Sequence, residues 1–266
     1  RAVLGAGVAW LITRRHSPQA WWRALGCRSG RVAAAVSAAT MLAAATMFRT
    51  LDGPLAGLAL ACTPAVALLV RDRVGPLASW AALGSSAAAV LGLGVAAFGA
   101  TVAVTPWAVA AAVAFVGLEV WSMHASQRAV QEGVDPSSLV MATMVLAAIV
   151  LVPVGVGQST GLSTSVLLSS FAAALVVAVL GTVGRVLRTA ALPAAGVPAV
   201  AASAQVTALG TAAGGVVVLG DTLTWFGATT AVVAAGLGAV AVLAATSWRL
   251  DPARSRLDAL VAGPAE

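Results

Sequence analysis

Apolar residues run along this chain in long blocks, broken by charges, prolines and short polar clusters. A helix rises about 1.5 Å per residue, so about 20 apolar residues cross the hydrocarbon of a bilayer. Cutting the blocks at charges, prolines and polar clusters predicts nine spanning helices. They cover 1–14, 31–50, 53–70, 76–99, 105–127, 138–157, 164–187, 196–219 and 223–247. No block shows a polar face as wide as a solvent-facing helix requires. That excludes a water-soluble helical bundle. The pattern predicts an all-α integral membrane protein with the lipid bilayer as its main partner.

Composition agrees. The chain has 266 residues, of which 60% are hydrophobic and 9% charged. Soluble domains carry about 25% charged residues. The mean hydropathy is +0.98. Every basic residue is arginine, and the pI is near 11.4. The arginines form no run and no single face, so the basic charge does not point to nucleic acid. They cluster at the ends of apolar blocks, as snorkelling and topology demand.

If the helix ends alternate between sides, one side holds Arg14, Arg15, Arg23, Arg28, Arg31, Arg71, Arg73, Arg128, Arg185, Arg188, Arg249, Arg254 and Arg256. The other side holds Arg1 and Arg49. The richer side is cytoplasmic by the positive-inside rule, which puts the C-terminus inside. Ala, Val and Gly richness without Lys or Tyr suggests a GC-rich bacterial genome, hence a bacterial cytoplasmic membrane. Connections are short except 15–30, 128–137 and the polar tail 249–266. In the first of these, Trp21 and Trp22 among arginines suit an interfacial segment.

Several chemistries are excluded. Cys27 and Cys62 form neither a disulfide framework nor metal-ligand spacing. His16 and His124 have no ligand companions. No phosphate-binding loop appears, and the GLG triplets lie within apolar helical blocks and not after strands. No nucleophile–base arrangement is visible. The expectation is a non-enzyme without cofactor or metal.

An internal repeat is visible. Segment 80–98 reads WAALGSSAAAVLGLGVAAF and segment 225–243 reads WFGATTAVVAAGLGAVAVL. Gly84 pairs with Gly227, and the triplet with Gly92 and Gly94 pairs with the one holding Gly236 and Gly238, with a spacing difference of one residue. The topology runs the two segments in opposite directions, as an inverted repeat requires. Small residues of this kind line helix contacts in membranes, so these six glycines are packing candidates. The repeats divide the chain into 1–100 and 101–248, followed by the tail 249–266.

These stretches carry a family resemblance. TPAVALLVRDRVGPLASWAALGSSAAAVLGLGV resembles the end of the first repeat of the drug/metabolite transporter superfamily, EamA-like type. AQVTALGTAAGGVVVLGDTLTWFGATTAVVAAGLGAVAVLAA resembles the second copy, with Gly220 and Asp221 at its Gly-Glu turn. In the first copy Gly75 and Pro76 stand near that turn, without a Gly-Glu pair. The resemblance implies ten helices in two inverted sets of five and both termini cytoplasmic. With nine helices predicted, the first family helix is expected to be missing, and 1–14 then resembles the second.

Polar residues inside the apolar blocks are the binding candidates. Glu119 lies about 20 Å along its helix from Pro106, where a charge is costly unless it faces a cavity or a partner. It reads either as a proton-coupling or substrate-amine-binding carboxylate, or as an acid snorkelling toward His124 and Arg128. Thr63 and Pro64 interrupt an apolar helix, as a bend on the substrate path or as a packing kink. Gln205 reads as a substrate ligand or as interhelical glue, and Ser203 and Thr207 share one face beside it. Ser169 and Ser170 read as packing residues.

The resemblance implies a secondary transporter of small-molecule substrates, metabolites or drugs. It would work by alternating access in the export direction, with proton coupling through Glu119 and room for a homodimer. The competing expectation is a non-transporting accessory or lipid-handling membrane protein.

Overall fold

The computed structural model describes residues 20–50, 53–70, 75–98, 105–156, 164–204 and 225–249. Among them the protein is all helical, with no strand. The helices are α1 (Ala20–Gly26), α2 (Arg28–Thr50), α3 (Gly53–Leu69), α4 (Pro76–Phe98), α5 (Pro106–Gln131), α6 (Pro136–Val156), α7 (Thr164–Ala195), α8 (Val197–Ser203) and α9 (Trp225–Arg249). Two helical stretches, Arg28–Met47 and Pro106–Gln131, are long and apolar enough to cross a membrane. The predicted helix 1–14, most of 196–219 and the tail 250–266 lie outside the described residues.

The chain divides into two compact units. The first is 1–50 with 107–193, and the second is 51–106 with 194–266. Each unit takes helices from both halves of the sequence, so neither follows the division at residue 100.

In the first unit, the stretch expected as a loop at 15–30 is helical from Ala20, and α1 packs on α2 and α6. Trp21 and Trp22 stack with ring centroids 3.9 Å apart. Cys27 turns the chain into α2, its Sγ accepting from the Gly30 amide at 3.3 Å. A Cβ on Gly30 would collide with the Ala24 carbonyl, so α2 can start this close to α1 only on glycine. The core here is built from Ala24, Ala33, Ala34, Ala129, Leu139 and Ala142. Small side chains let backbones approach, and packing comes from that proximity.

The α5–α6 turn follows from local chemistry. Gly133 takes φ of 90°. Its amide donates to the Val130 carbonyl, and the Val134 amide donates to the Ala129 carbonyl, both at 3.0 Å. This is the paired closure of a helix C-terminus on glycine. Asp135 then caps α6, accepting from the Ser138 amide at 2.9 Å and from the hydroxyls of Ser137 and Ser138, while Pro136 opens the helix where no amide is needed.

Helix α7 departs from expectation. Cut at its charges, the sequence ends this helix at 187, but it continues to Ala195. Arginine is a good helix former, and Arg188 finds a carboxylate inside the unit, so nothing stops the helix until Pro193 and Gly196. Gly196 has φ of 83° and Pro198 follows it, breaking α7 from α8.

In the second unit, α4 packs on α3, α8 and α9. The α4–α9 contact is antiparallel, pairing Gly84 with Leu237, Ser85 with Ala234 and Gly92 with Thr230. The Ser85 hydroxyl donates to the Ala234 carbonyl at 2.8 Å. A Cβ on Gly92 would overlap the Thr230 side chain, and one on Gly238 would run into the Ala202 carbonyl of α8. A Cβ on Gly84 would lie 3.1 Å from Leu237 Cδ1. Gly236 faces open space instead. Residues two apart on a helix sit about 200° apart, so Gly236 and Gly238 cannot both face α8. Gly94 and Gly227 are helical, and their surroundings lie outside the described side chains.

Candidate functional site

Glu119 is buried on α5. Its helix carries Ser122, Met123 and Ser126 at the third, fourth and seventh positions after it, a spacing that puts all four on one face. On α7, Arg185, Arg188, Thr189 and Leu192 repeat the same spacing. The two faces meet. Arg188 Nη1 lies 2.6 Å from Glu119 Oε1, and Arg188 Nη2 donates to Met123 Sδ. One turn further on, Gln127 Nε2 donates to the Leu192 carbonyl at 3.3 Å, locking the register of the two helices.

Ser37 of α2 and Leu139, Val140 and Thr143 of α6 complete the wall around these faces. They form a half-open cavity of about 40 Å³, lined by Glu119, Arg185 and Arg188 and by the hydroxyl residues Ser37, Ser122, Ser126, Thr143 and Thr189. Thr143 spends its proton on the Leu139 carbonyl at 3.0 Å and so presents lone pairs.

The charge pattern is uneven. Glu119 pairs with Arg188 at the cavity, and Arg128 pairs with Glu132 at the exposed end of α5. Arg185 lines the same cavity and has no ion pair among the described residues. Arg188 Nε is buried and has no hydrogen-bond partner among the described residues. One carboxylate therefore faces two guanidiniums, and one of these keeps an unused donor. Such a site can orient a planar acceptor group bidentately.

Neither sequence reading of Glu119 named this partner. His124 and Arg128 stand five and nine residues on, off its face, whereas Arg188 comes from another helix. Ser37, Ser122, Ser126, Thr143, Arg185, Arg188 and Thr189 were missed. The signal was there in the polar residues three apart, Glu119 with Ser122 and Arg185 with Arg188, in EVWSMHAS and RVLRTAAL. It was masked because arginines beside apolar blocks are ordinarily topology markers.

The other candidates lie elsewhere. Thr63 and Pro64 are buried within α3 of the second unit, and the Thr63 hydroxyl has no hydrogen-bond partner among the described residues. Ser203 donates to the Val200 carbonyl at 2.7 Å, a local use at the end of α8. Gln205 and Thr207 lie outside the described residues. Among the described residues no cluster of His, Cys, Asp or Glu could hold a metal ion.

No family model and no curated protein matches this chain.

Proposed function

We propose that this chain is a polytopic membrane protein of the bacterial cytoplasmic membrane that carries a small metabolite or drug across it by alternating access, in the export direction. The carrying observation is the cavity of the first unit. A carboxylate, two arginines and five hydroxyls converge there, within helices whose other faces are apolar. Ionisable groups at such depth are costly, and they mark substrate or ion pathways.

Two features support the membrane setting. Large apolar side chains stand in the open: Leu69 is 81% exposed and Trp80 73%, and Trp107, Leu180 and Leu243 are alike. Apolar surface on this scale demands a partner, and 9% charged residues cannot keep it in water. The arginine asymmetry then favours a cytoplasmic C-terminus.

The α4–α9 crossing supports the inverted repeat. Its contacts average near Ala87 and Ala234, an offset within about one helical turn of the one that pairs Gly84 with Gly227 and Gly92 with Gly236. A two-fold relation between repeats requires equivalent positions to meet where the helices cross.

The test is solute flux in proteoliposomes. Vesicles with purified protein are assayed for counterflow of amino acids, nucleosides, organic cations and carboxylates, beside Glu119→Gln. Flux above protein-free vesicles, reduced by the substitution, is expected. No protein-dependent flux of any class would replace transport with the accessory reading.

A further inference from the structure

We propose that the cavity of the first unit binds a small, singly charged oxyanion of the carboxylate class, gripped by Arg185 beside the Glu119–Arg188 pair. This names the substrate class of the transport reading above and rests on it for its physiological meaning.

The argument begins with charge. A guanidinium does not lose its proton in proteins. Burying one without a counter-charge is expensive. Glu119 serves Arg188 at 2.6 Å, and among the described residues the cavity wall offers no second carboxylate for Arg185. One positive charge is left over, so a monoanion neutralises the site.

Donor geometry points the same way. Arg188 uses Nη1 on Glu119 and Nη2 on Met123, and its Nε is buried with no hydrogen-bond partner among the described residues. Arg185 brings a planar fork of donors to the same space. Ser122, Ser126 and Thr189 add hydroxyls on the same two helix faces. Planar carboxylates match guanidinium forks two bonds at a time.

Size narrows the class. On this measure one water needs about 10–15 Å³, and the cavity measures about 40 Å³, room for a few heavy atoms. That suits the head of a short carboxylate rather than a tetrahedral phosphate carrying nearly two charges. A cationic substrate is disfavoured, because Glu119 is already engaged and Arg185 repels it.

Acetate is the probe. The purified full chain in detergent is titrated with labelled acetate, with ethylamine and inorganic phosphate as competitors. Saturable acetate binding is expected, displaced by neither competitor. Arg185→Gln should weaken it roughly ten- to hundredfold, the worth of a charged hydrogen-bonded contact. Arg185→Lys, which keeps the charge and loses the fork, should fall between. Arg128→Gln, at the exposed ion pair, should bind as wild type. Absence of acetate binding, unchanged binding in Arg185→Gln, or preference for phosphate would each overturn the proposal. Acetate binding with no protein-dependent solute flux would remove the transport reading and leave the anion site standing. Amine flux without acetate binding would do the reverse.

Discussion

Substituting Glu119 by Gln should destabilise the protein more than substituting its partner Arg188. Glu119→Gln leaves Arg185 and Arg188 together in one cavity with no carboxylate among the described residues. Two guanidiniums one helical turn apart, about 6 Å at an effective dielectric of about 20, repel by roughly 3 kcal/mol. Removing one partner of a buried pair costs about 3–5 kcal/mol, and of an exposed pair about 0–1 kcal/mol. The Glu119 side chain is 10% exposed and that of Arg188 26%, so the pair sits nearer the buried limit. We expect about 3 kcal/mol for Glu119→Gln. Arg188→Gln leaves Glu119 with Arg185, one charge of each sign, and should cost roughly half as much. The double variant Glu119→Gln/Arg185→Gln should recover stability relative to Glu119→Gln alone, a coupling that a double-mutant cycle isolates. The assay is reversible unfolding by dodecyl sulfate in mixed micelles, followed by helical circular dichroism. A cost below about 1 kcal/mol for Glu119→Gln, the level of a solvated pair, would refute the reasoning. So would an equal or larger cost for Arg188→Gln.

Three further outcomes follow from the packing and caps. Gly92→Val should disrupt the α4–α9 contact by about 1–3 kcal/mol, since its side chain would overlap Thr230. Gly236→Ala should be neutral or stabilise by up to about 1 kcal/mol, because that position is open and alanine favours helix; equal losses in the two would contradict the seam. Asp135→Ala removes the acceptor that caps α6 and should cost about 0.5–2 kcal/mol in the same unfolding assay, whereas no change would mean the cap contributes nothing. At the exposed end of α5, the nearby Ser29 hydroxyl and the Arg128 guanidinium, which donates to it at 3.0 Å, hold the Glu132 carboxyl below its usual range. A depressed folded-state pKa contributes stability above the ordinary carboxylate value, about 4.3, and that contribution disappears as pH falls through the folded value. Glu132→Gln should therefore be slightly less stable than wild type at neutral pH and equal to it in acid; a gap that widens on acidification would reverse the assignment.

Much of this protein was legible from hydropathy alone. Long apolar blocks have one economical solution, because backbone amides and carbonyls removed from water must bond within their own segment. Helices α2 to α6 accordingly begin and end within a few residues of the predicted limits. Local chemistry explains the α5–α6 turn equally well, since Gly133, Asp135 and Pro136 act on their neighbours. The glycine seam was half visible: small residues announce close approach, but only the rotation of each helix decides that Gly92 and Gly238 meet a neighbour while Gly236 does not.

The site belongs to the tertiary structure. Glu119 stood out in the sequence as a costly charge, yet its partner lies 69 positions away on another helix. Arg185 and Arg188 had an adequate local explanation as residues at a helix end. Hydropathy ranks a charge by its neighbours in the chain, whereas an ion pair is decided by neighbours in space. Only the packing of α5 against α7 turned two topology markers into the walls of a charged cavity.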